Sequence, residues 1–113
     1  MITFVFTTST LDAKARHGLD MLAMAVSLDQ PAQAIFQGQA VQQLAKPTVE
    51  KPDPLKKLTI LLDIFDFEAF YATQQDLSAA GLEVGTLRVP VQIINEDDAR
   101  QLCDHQSRFV LRF

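Results

Sequence analysis

The chain has 113 residues, 48% of them hydrophobic and 21% charged, which suits one compact domain with a real core and argues against disorder. Its net charge of −4 and pI near 4.9 leave no basic surface for direct nucleic-acid binding and disfavour an anionic membrane surface. The opening "MITFVFTTST" lacks the basic n-region of a signal peptide, and the most apolar window, "LTILLDIF", is interrupted by Asp63, so no membrane span is expected. A single cysteine, Cys103, excludes an internal disulfide and fits a reducing compartment. A cytoplasmic protein is expected.

In chain order, "ITFVF" (2–6) is a β-branched and aromatic run that reads as a buried strand. The hydroxyl cluster "TTST" (7–10) follows as a helix cap, with lining of an anion site as its other reading. From Leu11 to Leu28 the pattern is helical, with Leu11, Ala15, Leu19, Leu22 and Val26 on one stripe. Met21, Met24, Ala25 and Leu28 form a second apolar strip on that helix, more than a helix lying on a sheet requires. It reads as a candidate subunit interface or as deeper packing under a loop. "QAIFQG" (33–38) is a short strand, followed by a short helix over 39–45.

"KPTVEKPDP" (46–54), with three prolines, is a solvated loop. A helix over 55–65, a strand over 67–72 and a helix from Gln74 to Ala80, stopped by Gly81, come next. "TLRVPVQII" (86–94) is extended, with Pro90 marking an edge or a bend. Asn95 caps the helix that opens "NEDDAR", where acids favour the positive end of the helix dipole. "RFVLRF" closes as a strand with arginines bracketing an apolar run. Strand–helix alternation of this kind predicts an α/β fold: three α/β/α layers around a mostly parallel sheet of about five strands, near 2–7, 33–37, 67–72, 86–94 and 108–113, in a single domain 1–113.

Catalytic signatures are missing. There is no GxGxxG, Walker loop, HExxH or nucleophile elbow, and four glycines offer little for a phosphate-cradling loop. No cofactor is implied. Cys103 and His105 lie two apart on a helix and so on different faces, and His17 is distant, which leaves no metal site. Asp63, Asp66 and Glu68 read as solvated turn acids rather than a catalytic pair. Cys103 shares a face with Ala99 and Leu102, which points to packing against the sheet, and the acids Glu96 to Asp98 oppose a thiolate.

The order of these pieces resembles the TusC/DsrF branch of the DsrE/DsrF-like sulfur-relay proteins, nearly end to end. "TFVFTTST" is similar to that family's first strand and its "FVFSTAP"-like exit, and "HGLDMLAMA" to its "EGLDALLAT" helix. "ILLDIFDFEAFYA" resembles its "KLLGLYDIEQCWV" turn, notably at Leu61, Leu62, Asp66 and Glu68, and "FVLRF" its closing "VILRF". The "GQAV" at 38–41 departs from the family's "DGV", and loop 46–54 follows no family pattern.

The resemblance implies a DsrEFH-like fold and a non-catalytic subunit of a cytoplasmic complex. TusB-like and TusD-like subunits would accompany it in a dimer of heterotrimers that passes persulfide sulfur, through a downstream acceptor protein, toward tRNA wobble 2-thiouridine. The family's active cysteine belongs to the TusD/DsrE subunit, at a strand end that this chain fills with Ala72 and Thr73. The alternatives are a Dsr-type sulfur oxidation subunit, and a sulfurtransferase or small-ligand protein acting by itself with Cys103 as the thiol. Met21, Met24 and Leu28 stand as the candidate interface, and self-association of the isolated chain stays open.

Overall fold

The structure, a computed structural model, describes residues 1–8, 12–45, 57–105 and 108–113. Its strands are β1 (Ile2–Phe6), β2 (Ala32–Phe36), β3 (Phe70–Thr73), β4 (Gln92–Ile94) and β5 (Phe109–Arg112). They form one sheet in the order β4-β3-β2-β1-β5, and every pairing is parallel. Parallel sheets are covered on both faces, which is why β1 and β2 are buried along almost their whole length rather than at alternate residues. The α/β class and the parallel five-stranded sheet are as predicted. The helices are α1 (Ala13–Ser27), α2 (Lys57–Phe65), α3 (Gln74–Ala79) and α4 (Glu96–Asp104), with 3₁₀ turns at Gly38–Leu44 and Val84–Thr86.

Residues in register across parallel strands share a face. Phe4 pairs with Ala34 and Phe6 with Phe36, and these in turn meet Phe70 and Ala72. All six are fully buried beside Leu19 and Leu22 of α1 and Leu58 and Leu61 of α2, which makes this side the main core. The ring of Phe6 stacks on Phe36 at 4.8 Å and on Phe113 at 5.9 Å. The alternate residues Thr3, Val5, Gln33 and Ile35 are buried on the other face. There the Gln33 Nε2 donates to Thr3 Oγ1 at 2.9 Å, so a buried amide and hydroxyl satisfy one another. Helix α4 lies on this second side and buries Ala99.

Several boundaries differ from the sequence reading. Helix α1 starts at Ala13, and its cap is Asp12, whose carboxylate accepts from the Lys14 amide at 2.9 Å. Thr7 and Thr8 do not cap it. Their amides donate to the Phe113 carbonyl at 2.7 and 3.2 Å, and both hydroxyls donate to the same oxygen at 3.2 and 3.3 Å. The exit of β1 is therefore used to hold the end of the neighbouring strand. Ser9, Thr10 and Leu11, the loop 46–54 and the first residues of the helix expected over 55–65 lie outside the described residues.

The segment expected to be extended over 86–94 joins the parallel sheet only at Gln92–Ile94, and Leu87 makes an isolated antiparallel bridge with Ala45. Upstream, Arg88 N donates to Leu44 O at 2.9 Å and Arg88 Nε to Ala45 O at 2.9 Å, which ties this stretch to the end of the first 3₁₀ turn. Pro90 has no amide to give, so pairing resumes only beyond it, on an edge strand. Strand β3 begins at Phe70 rather than 67, because the chain first turns through Asp66 at φ 53. Asn95 does cap α4, in a reciprocal box with Asp98.

Gly18 marks the closest approach of α1 to the sheet. A Cβ there would stand 2.5 Å from Phe6 Cε1 and 2.8 Å from Phe113 Cγ. The Phe6 ring is locked in its stack and cannot yield. Gly18→Ala is expected to destabilise the fold by about 1–3 kcal/mol by overpacking, outweighing the roughly 1 kcal/mol that alanine adds to a helix. Urea melts of the two proteins check this; an unchanged or higher midpoint would show that α1 can shift outward.

Candidate functional site

The carboxyl ends of parallel strands leave a crevice in which ligands of open α/β sheets gather. In this chain a cleft of about 420 Å³ lies there. Gln37 and Gly38 bound it after β2, Thr73 and Asp76 at the β3–α3 junction, and Arg112 at the end of β5. Helix α4 forms the remaining wall with Ala99, Arg100, Cys103 and others. Four parts of the chain meet there because α4 carries it from edge strand β4 to edge strand β5.

The two strand-end residues divide between the faces. Ala72 pairs with Phe36 and is fully buried in the main core. Thr73 pairs with Ile94 on the opposite side and borders the cleft. Its Oγ1 accepts from the Asp76 amide at 3.2 Å and so caps α3. A threonine that terminates a strand and starts a helix serves local structure, and its hydroxyl brings no nucleophile of ordinary strength.

Cys103 borders the same cleft. Ala99 is buried, whereas Leu102 and Cys103 are only partly covered, so the packing role expected for Cys103 is incomplete and its thiol has access to the cleft. Burial pushes the thiol pKa up, the nearby Arg112 guanidinium pulls it down, and Asp104 pushes it up again. The net direction is upward, away from the thiolate that sulfur chemistry requires. The thiol therefore borders the crevice with its pKa shifted toward the protonated form.

On α1, Met21, Met24 and Leu28 are exposed by 45, 64 and 64%. Helix α2 packs beside α1 and exposes Ile64 and Phe65 in turn. Methionines standing in solvent on a helix whose other stripe fills the core leave apolar area uncovered in the single chain. Asp63, Asp66 and Glu68 are exposed around the α2–β3 turn. Gln43, fully buried, donates its Nε2 to Thr8 O at 3.0 Å, and its Oε1 has no partner among the described residues. Sequence reasoning missed Gln37, Asp76, Arg100 and Arg112, since their convergence depends on a strand order that periodicity does not encode.

No family model matches the chain, and neither does any curated protein. Among solved structures, it is similar to the ychN protein of E. coli at TM-score 0.82 and 12% identity, covering 99% of this chain and 97% of that one. It is also similar to MTH1491 of Methanobacterium thermoautotrophicum, a protein of unknown function, at TM-score 0.59 and 16% identity over 100% of both chains. At these identities the likeness is one of fold: a small five-stranded parallel α/β domain.

The raised thiol pKa has a direct chemical readout. Iodoacetamide is expected to alkylate Cys103 more slowly at pH 7.5 than it does free cysteine, with the rate rising through a pH above the free-thiol value of about 8.5. Mass spectrometry of the alkylated chain against pH measures it. A rate plateau already reached at neutral pH would mean an activated thiolate.

Proposed function

We infer that this chain is a non-catalytic subunit of a sulfur-relay complex, in which related TusB-like and TusD-like chains complete a heterohexamer and a TusD-like subunit supplies the working cysteine. The observation that carries this reading is Thr73. At the strand end where the resembled family places its active cysteine, this chain has a helix-capping hydroxyl. The sole thiol, Cys103, sits elsewhere on the cleft wall and is held toward its protonated form. Persulfide transfer needs an accessible thiolate to accept sulfane sulfur, and neither group meets that need.

The fold shared with the ychN protein supports the sulfur-relay family, and the resemblance of the sequence pieces supports the TusC branch within it. The product assigned to the complex is tRNA wobble 2-thiouridine, reached through a downstream acceptor protein, with the cytoplasm as the compartment. The outward strip of Met21, Met24 and Leu28 supplies apolar area suited to a subunit contact.

A second reading is favoured by one specific observation: Cys103 and Thr73 border the same cleft. A thiol displaced from the strand end to α4 would still reach a substrate bound there, and the chain would then be a sulfurtransferase itself.

Transfer assays in a complex reconstituted with the cysteine-bearing partner separate the two. Cys103→Ser is expected to leave the sulfur-transfer rate unchanged. Because the thiol opens on the cleft instead of being sealed, the stability cost should stay below about 1 kcal/mol. A rate that collapses while the fold persists would make Cys103 the catalyst.

Replacing both Met21 and Met24 by aspartate is expected to weaken assembly without unfolding the chain, since both side chains are exposed. Light scattering reads the assembly and circular dichroism the fold. Unaltered association would exclude this strip from the interface.

A further inference from the structure

We propose that the outer face of α1 is where two copies of this chain meet, each α1 lying antiparallel on the α1 of its partner about a two-fold axis. The inference rests on reading Met21, Met24 and Leu28 as a subunit contact, and it names what covers them.

The three apolar residues belong to a longer pattern. Lys14, His17, Met21, Met24 and Leu28 follow one another at spacings of three, four, three and four, and all five are exposed. Such steps average about 3.5 residues and so hold one line along a helix. At about 1.5 Å per residue the line runs for roughly 21 Å. A seam of this kind accepts the side-chain ridges of a second helix. Two heptads are short for a free-standing coiled coil, but the neighbouring helix widens the surface. Helix α2 packs beside α1 and exposes Ile64 and Phe65. Of the nine large apolar side chains exposed among the described residues, five lie on these two helices and the α1 cap. The uncovered apolar area is thus concentrated on this side of the sheet.

Charge decides the occupant. Both helices lead into strands of a parallel sheet, so both end at its amino edge. Behind its Asp12 cap, α1 opens with Lys14, Arg16 and His17, while its last turn holds no base and Asp29 follows it. The end of α2 adds the exposed Asp63 and Asp66 at the same edge. Bases near the positive end of a helix dipole and an acid beyond its negative end are both unfavourable within one chain. An antiparallel copy reverses both relations, because its negative helix end and its acids lie over the bases. A parallel copy would set like charge on like.

A register follows. With the axis passing between Met21 and Met24, Met21 packs on Met24 of the partner subunit and His17 on Leu28 of the partner subunit. Lys14 then reaches Asp29 of the partner subunit. Asp20 flanks the seam and is engaged within its own chain; in this register it falls opposite Ala25 of the partner subunit and meets no acid. The contact is self-complementary, so every pair occurs twice. Polar residues in an otherwise apolar seam fix its orientation at some cost in strength.

The test is made on the isolated full chain. Sedimentation velocity over a range of concentrations is expected to show a monomer–dimer equilibrium. Lys14→Glu and Asp29→Lys, each checked for fold by circular dichroism, should each weaken self-association by about tenfold or more, since each sets like charges together twice. Mixed in equal amounts, the two variants should associate as well as the unaltered chain, because the mixed dimer pairs the two reversed charges and keeps the other contact as it was. A folding defect cannot produce that recovery. In a Cys103→Ser background, Met21→Cys and Met24→Cys chains should cross-link to each other on mild oxidation faster than either does to itself. A chain still monomeric at about 1 mM, folded variants that do not restore one another, or cross-linking without this preference would overturn the inference. A monomer that nevertheless joins TusB-like and TusD-like chains would overturn it and leave the subunit reading standing; a dimer with the expected register that admits neither chain would support it and count against the complex.

Discussion

The contact of Gly18 with the rings of Phe6 and Phe113 sets how closely helix α1 lies on the sheet. With only a hydrogen at this position, the helix can settle until Leu19 and Leu22 reach the Phe4 and Phe6 layer. The same contact brings the first turn of α1 alongside the exit of β1, and so puts Lys14 and His17 over the end of β5. It also fixes the rotation of the helix. Once Ala15, Leu19 and Leu22 face inward, Met21, Met24 and Leu28 must face out. The core contact and the apolar outer strip are two results of one approach.

Much of this architecture was legible in the sequence, because parallel strands buried on both faces leave compact apolar runs and helices leave stripes. Less legible were the places where one hydrogen bond decides. "TTST" has the composition of a cap, yet Asp12 takes that role and the threonine hydroxyls turn to a strand more than a hundred positions away. "TLRVPVQII" has strand composition throughout, but the attachment of Arg88 to Leu44 and Ala45 leaves only its last three residues to join the parallel sheet. At the crevice, Thr73 was readable as a strand end. The arrival of Cys103 and Arg112 beside it was not, since helical spacing places a residue on a face without saying what that face overlooks.

Arg112 is a wall of two clefts, the crevice that Cys103 borders and a second one that it shares with Lys14, His17 and Phe113. From one side it is the charge that draws the Cys103 thiol pKa down against burial; on the other it stands with Lys14 and His17. A substitution at Arg112 therefore changes the charge of both crevices at once, while Asp76 and Arg100 belong to the first alone and Lys14 and His17 to the second. The division of the strand-end pair completes the arrangement. Ala72 closes the core and Thr73 faces the crevice, so the chemistry of this end lies on the α4 side of the sheet.

The pairing of β1 with β5 also has a consequence in time. Thr7 and Phe113 are 106 positions apart, so β1 is among the first of these residues to leave the ribosome and its neighbour among the last. At 5–20 residues per second, on the order of 5–20 s separates them. During that interval β1 can pair with β2 on one side, while its other edge has no native partner. An apolar strand with an open edge is a template for pairing with other chains. Such long-range closure is also slow, because the loop entropy must be overcome before any contact rewards it. The segment that finally closes the edge is flanked by Arg108 and Arg112, charges that discourage it from joining a foreign sheet while it waits.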